Sequence, residues 1–212
     1  MTAESKLREQ VCSAGASLFN RGLTYGSTGN ISVALPDGGW LMTPTGSSLG
    51  TLDPARLSKL DSAGKLVGGD APTKEAFLHT TMYDKRPKSG AVVHLHSTHS
   101  VAVSCLDGID HGNCLPPMTA YYVMRIGTLP LVPYFPPGDA TLADAVGQLA
   151  GKHHAVLLAN HGPVVAGSSL SAAQDAIEEL EETARLFLML RHEKLNLLTP
   201  AQIAELQRRY PS

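Results

Sequence analysis

Apolar positions along the chain recur with two different periods, and the two alternate. Between residues 5 and 21, Leu7, Val11, Ala14, Leu18 and Phe19 fall at helical spacing, with Gly22 placed to end the helix. Ile31–Leu35 and Trp40–Thr43 then read as two strands joined across the turn Pro36-Asp37-Gly38-Gly39. Asp53-Pro54 has the form of an N-cap followed by proline at the first helical position, and residues 57–68 suggest a second hairpin around Ser62-Ala63-Gly64. A helix is predicted from Pro72-Thr73-Lys74-Glu75 to about Tyr83, with Thr73 as its cap. Ala91-Val92-Val93 is a β-branched run of the kind that forms a buried strand, and residues 98–107 look helical after it.

Residues 115–127 show no clear period. Leu129–Tyr134 reads as an edge strand, because its prolines cannot donate to a ladder. Thr141 opens a further helix, and Ala155–Ala159 is a second buried strand that resumes at Pro163–Ala166. A long helix is predicted over 169–194, with Ala172, Ala176, Leu180, Ala184, Phe187 and Leu190 as its apolar stripe. A last helix runs from Thr199-Pro200 into the tail ending at Pro211-Ser212. Interleaved strands and helices, with two early hairpins, predict an α/β fold: one domain over residues 1–212, a mixed central sheet and helices on both faces.

Composition narrows the function classes. The chain has 212 residues, 43% hydrophobic and 17% charged, with a net charge of -2. That balance leaves no broad basic surface for nucleic acid, and no apolar run nears the roughly 20 residues a membrane-crossing helix needs. The first residues lack a basic-then-apolar signal pattern, and Cys12, Cys105 and Cys114 are odd in number and unpaired in spacing. The expectation is a cytoplasmic protein with reduced thiols. Nine histidines raise a metal or acid–base question.

The chemistry gathers at strand ends. His94 and His96 stand two apart on a strand, so both side chains leave the same face and can share one ion. His161 also stands at a strand end, with Gly162 freeing the backbone beside it. Gly26–Asn30 and Thr43–Ser48 are small, hydroxyl-rich loops flanking one hairpin, suited to an anion. Thr73, Lys74 and Glu75 open a helix, where backbone N–H groups also attract a phosphate. Glu75 is equally what a first helical turn favours for its dipole alone.

Five segments together resemble the class II aldolase/adducin family: Ser27-Thr28-Gly29-Asn30, Thr43-Pro44-Thr45-Gly46, Pro72-Thr73-Lys74-Glu75, His94-Leu95-His96 and Asn160-His161-Gly162. They occur in the family's order and span most of the chain. The resemblance implies that His94, His96 and His161 bind a catalytic zinc (Zn2+), with Mn2+ or Co2+ able to use the same donors. It implies that Glu75 is the catalytic acid/base and approaches the metal when substrate is absent. It makes Gly29, Asn30, Thr45 and Gly46 a phosphate cradle, continued by Thr73 and Lys74, where fuculose-phosphate aldolases carry two serines instead. It also implies a homotetramer whose sites take a tyrosine from a neighbouring subunit; Tyr121, Tyr122 and Tyr210 are the candidates.

Residues 72–79 and 120–124 look most like the family's 3-oxo-tetronate 4-phosphate decarboxylase branch. The expected activity is therefore loss of CO2 from that phosphorylated sugar acid to give dihydroxyacetone phosphate. Aldol cleavage of a ketose phosphate such as fuculose 1-phosphate is the second expectation, and 4-epimerisation the third. A non-catalytic adducin-like interaction module is the most distant. His79 is expected to pack or orient the site, and His99 to be structural or to support the site's ligands from behind.

Overall fold

The computed structural model describes residues 2–136 and 138–210, so the expected continuation of the last helix into Pro211 and Ser212 lies outside them. Eight strands form one sheet. They are β1 (Asn30–Ala34), β2 (Trp40–Met42), β3 (Ser58–Leu60), β4 (Leu66–Gly68), β5 (Ala91–His94), β6 (Leu131–Val132), β7 (Ala155–Leu158) and β8 (Gly162–Gly167). Their order is β4-β3-β2-β1-β5-β8-β7-β6. Only the β6–β7 pair is parallel, so the sheet is mixed.

Alternation along the central strands splits the core into two layers. Ala91, Val93 and Leu95 point to one face, where α1 (Ala3–Asn20), α3 (Thr98–Ser104) and α6 (Leu170–Leu190) pack. Val92 points to the other, against α2 (Ala76–Lys85) and α5 (Thr141–Ala150). The same split sends Ala155 and Leu157 one way and Val156 and Leu158 the other. Each fully buried aliphatic side chain contributes about 1.5–3 kcal/mol over its exposed state. Strands β5, β7 and β8, whose ends carry the histidines, are buried along nearly their whole length. Helix α4 (Ala120–Arg125) packs on α6, with Tyr122 and Ile126 in the core of that layer, and α7 (Pro200–Arg209) packs against α4.

The elements depart from the predicted ones mainly at their ends. Helix α2 begins at Ala76, with Glu75 in the cap position making no capping hydrogen bond, so Thr73 is not the N-cap. The reason is local: Thr73 Oγ1 accepts from the Glu75 N–H at 3.2 Å, and the glutamate side chain turns away toward the histidines. The edge strand shrinks to Leu131–Val132 because Pro130 and Pro133 bracket it without N–H groups. Helix α6 stops at Leu190 instead of 194, and its buried stripe includes Ala173 and Ile177, while Leu190 is exposed. Helix α3 likewise ends at Ser104, short of 107. The segment without a clear period contains α4, nucleated by Thr119, whose hydroxyl accepts from the Tyr122 N–H at 3.1 Å.

Candidate metal centre

Strand β5 carries His94 at its last position and His96 just beyond it, both on the α2 side of the sheet. His161 comes from the tight turn between β7 and β8, where Leu158 pairs with Gly162 across three residues. That turn is conformationally demanding. Asn160 sits in the left-handed region at φ 54°, its amide donating to Cys105 Sγ at 3.4 Å. A Cβ on Gly162 would collide with the Leu95 carbonyl oxygen, so only glycine lets β8 run this close to β5. Glu75 reaches the same point from the start of α2.

The four donors converge: Glu75, His94, His96 and His161 each offer an atom within 4.8 Å of the others. His96 Nε2 lies 3.1 Å from both His94 Nε2 and His161 Nε2, and Glu75 Oε1 lies 3.1 Å from His161 Nε2. His94 Nδ1–H donates to the Pro163 carbonyl at 2.8 Å, which leaves its Nε2 a bare lone pair aimed at the cluster. An ion about 2.1 Å from three tetrahedrally placed nitrogens would hold them about 3.4 Å apart. The observed spacing nearly matches, so the donor set fits a zinc-type divalent ion.

Protonation agrees with this. Burial pushes the His96 imidazole down to about 4, helped by its neighbours His94 and His161, and burial also lowers His94. Both are neutral, as a metal ligand must be. Burial opposes charge on Glu75, but the His94 imidazole and hydrogen bonds from His161 and Asn30 outweigh it and hold the carboxyl below the usual range. An ionised carboxylate beside the imidazoles of His94, His96 and His161 is a strong cation site.

The remaining predicted residues divide. Thr45, Gly46 and Lys74 are exposed beside one another's loops. Thr45 N–H donates to Ala71 O at 3.0 Å and Thr73 N–H to Thr43 O at 3.1 Å, which knits the two segments into one rim. Gly29, at φ 78°, lies against the His94 carbonyl, where a Cβ would come within 3.1 Å. Asn30 differs from its expected place in the phosphate cradle. Its Nδ2 donates to Glu75 Oε2 at 2.7 Å and its Oδ1 faces His79 Nε2, so the side chain is committed to the glutamate.

Tyr122 is a correction. It is fully buried, and its hydroxyl donates to the Leu115 carbonyl and to Asn113 Oδ1 at 3.3 Å each, so it cannot reach another subunit. Adjacent helical residues face about 100° apart, and α4 turns Tyr122 inward and Tyr121 out. Tyr121 and Tyr210 are exposed. His99 is structural: its ring and N–H, with Ser100, clamp Glu181 of α6. The signal for the partners of Glu75 was present in spacing alone. Glu75, His79 and Tyr83 recur every four residues along α2, and Asn30 and Ser32 every two along β1.

The family model for the class II aldolase and adducin N-terminal domain matches residues 9–188. The chain belongs to this family. Among its relatives, the 3-oxo-tetronate 4-phosphate decarboxylase of Escherichia coli K12 is 51% identical over 204 residues, 96% of each chain. The L-fuculose phosphate aldolase of the same strain is 32% identical over 186 residues, 87% of this chain and 83% of that one. The crystal structure of YgbL from Escherichia coli superposes with a TM-score of 0.95 at 50% identity, over 97% of this chain and 100% of that one. The class II aldolase architecture expected from the sequence is the one observed.

Proposed function

We propose that this chain is a metal-dependent carboxy-lyase that converts a 3-oxo-tetronate 4-phosphate to dihydroxyacetone phosphate and CO2. The observation that carries this reading is the 51% identity to a decarboxylase along nearly the whole chain, against 32% to an aldolase. Glu75, His94, His96 and His161 would hold the divalent ion, with zinc the first choice and manganese or cobalt compatible with the same donors. When bound, the ion supplies Lewis-acid polarisation of the C3 ketone, worth several kcal/mol as the neighbouring C–C bond breaks.

The chain's own residues do the rest. Gly29, Thr45, Gly46, Thr73 and Lys74 would grip the phosphate, with Lys74 adding a charge where an aldolase has serine. Anchoring that end would fix C1 and C2 over the histidines. The C1–C2 bond breaks, its electron pair becomes the C2=C3 bond, and CO2 leaves. Glu75, ionised at rest, would take up a proton from solvent in the substrate complex and deliver it to C2, giving dihydroxyacetone phosphate. One proton is taken up from solvent for each CO2 released. The reading extends to a cytoplasmic homotetramer in which Tyr121 or Tyr210 enters the site of a neighbouring copy. Both are exposed, and α4 and α7, which carry them, pack against each other. Among the described residues no helix is long and apolar enough to cross a membrane.

The test is release of dihydroxyacetone phosphate from 3-oxo-tetronate 4-phosphate, followed with a coupled dehydrogenase. The expected result is rapid release that a chelator abolishes and Glu75→Gln loses. No release, with cleavage of L-fuculose 1-phosphate instead, would turn the assignment to the aldolase, the second reading that the 32% relative supports.

A further inference from the structure

Behind Glu75 lies a row of buried polar groups that the reaction itself does not call on. Strand β1 presents Asn30 and Ser32 on its α2 face, and α2 presents Glu75, His79 and Tyr83 toward β1. Two residues of strand advance about 6.7 Å and four residues of helix about 6.0 Å, so the two rows run in register. Side chains therefore alternate across the gap: Tyr83 Oη lies 3.0 Å from Ser32 Oγ, Ser32 Oγ 2.7 Å from His79 Nδ1, and Asn30 Nδ2 2.7 Å from Glu75 Oε2. His79 Nε2 meets Asn30 Oδ1 between them. Ser32 and His79 are fully buried, Asn30 and Tyr83 nearly so.

The direction of the hydrogen bonds follows from the Asn30 amide, whose NH2 lies 2.7 Å from Glu75 Oε2 while its carbonyl faces His79. His79 Nε2 must then carry the hydrogen. The imidazole is neutral, burial pushing it down to about 3, so Nδ1 is bare. Ser32 must donate to Nδ1, which leaves its oxygen to accept from Tyr83. Each group donates toward the glutamate and none is left to choose.

We propose that Tyr83, Ser32, His79 and Asn30 form a one-way chain of donors that clamps Oε2 of Glu75, leaving Oε1, 3.1 Å from His161 Nε2, to face the substrate. His79 and Ser32 are then positioning residues, acting through Asn30 without touching substrate. The role given to Oε1 rests on the proposed reading of Glu75 as proton donor; the direction of the chain does not. Break the chain at Ser32 and the His79 tautomer is no longer fixed. Asn30 can then flip and set its carbonyl oxygen against the carboxylate.

Two measurements test this. Nitrogen NMR of histidine-labelled wild-type protein at neutral pH should find His79 neutral with its hydrogen on Nε2; a hydrogen on Nδ1 would overturn the chain. Kinetics of Ser32→Ala should show kcat lower by about 10- to 100-fold, with KM changed less than about 2-fold and bound metal per folded chain unchanged. A purely structural Ser32 would lower the melting temperature and leave kcat per folded chain intact, and that result would sink the proposal. His79→Gln, which keeps a donor near the Nε2 position, should recover most of the kcat lost in His79→Leu; equal loss in both would also count against it. If wild-type protein proved inert on 3-oxo-tetronate 4-phosphate while His79 still carried its hydrogen on Nε2, the chain would stand and the decarboxylase reading would fall.

Discussion

At the scale of single residues, charge decides most outcomes. Lys74 is the cation on the rim formed by residues 43–47 and 71–75. A hydrogen bond to a charged group contributes about 1.5–3 kcal/mol, so Lys74→Ala should raise KM roughly 10- to 100-fold with a smaller change in kcat, read by steady-state assay. Buried histidines govern stability in acid, His79 more strongly than His96, with His94 lowered beside them. The folded value of about 3 for His79 lies below the ordinary 6.5, so the unfolded chain takes the proton first and stability falls as pH drops below about 6.5. For protein stripped of metal, His79 alone should cost about 2 kcal/mol by pH 5, seen as a falling urea midpoint between pH 7 and pH 5. The lowered carboxyl of Glu75 acts in the same direction, its contribution present above its ordinary 4.5 and lost as pH falls further. A urea midpoint flat across that range would show that His79 is not held neutral by burial.

At the scale of elements, the metal ligands depend on how three segments are shaped. His161 is aimed by the turn that links β7 to β8, and that turn needs both the left-handed Asn160 and the absent side chain of Gly162. Gly162→Ala should destabilise by more than about 1 kcal/mol and release His161 from the cluster. Calorimetry and metal content would follow the two effects, and a variant with full metal and unchanged melting would refute the account. The sequence made His94 and His96 legible because strand periodicity alone puts them side by side. It made α1 and α6 legible because their stripes are long. Thr73 was misplaced as a cap because its hydroxyl takes the Glu75 N–H just ahead of α2, which begins only at Ala76. Tyr121 and Tyr122 could not be separated without knowing which way α4 faces, which Thr119 and Asn113 decide. The partners of Asn30 lie 45 and 49 residues away, so spacing shows which residues line up within β1 and within α2 but not that the two rows meet.

At the scale of the whole molecule, the centre lies at one end of the sheet, and Tyr121 and Tyr210 are exposed on α4 and α7, which pack against each other. If each site borrows a tyrosine from its neighbour, two inactive variants should repair each other. Co-refolded Glu75→Gln with Tyr121→Phe, and separately with Tyr210→Phe, should regain about a quarter of wild-type activity by random mixing in the pair that contains the working tyrosine. No recovery in either mixture would place the site within one chain. The four donors themselves come from residues 75, 94, 96 and 161, so a bound ion ties the start of α2 to the end of β5 and to the β7–β8 turn. By mass action such an ion stabilises the folded form by about 2.7 kcal/mol at a hundred times its dissociation constant. The melting temperature should climb with free zinc, and stripped protein should be cut faster by protease. The amount of this enzyme surviving in a cell would then follow the supply of its metal, so that scarcity removes the catalyst as well as idling it.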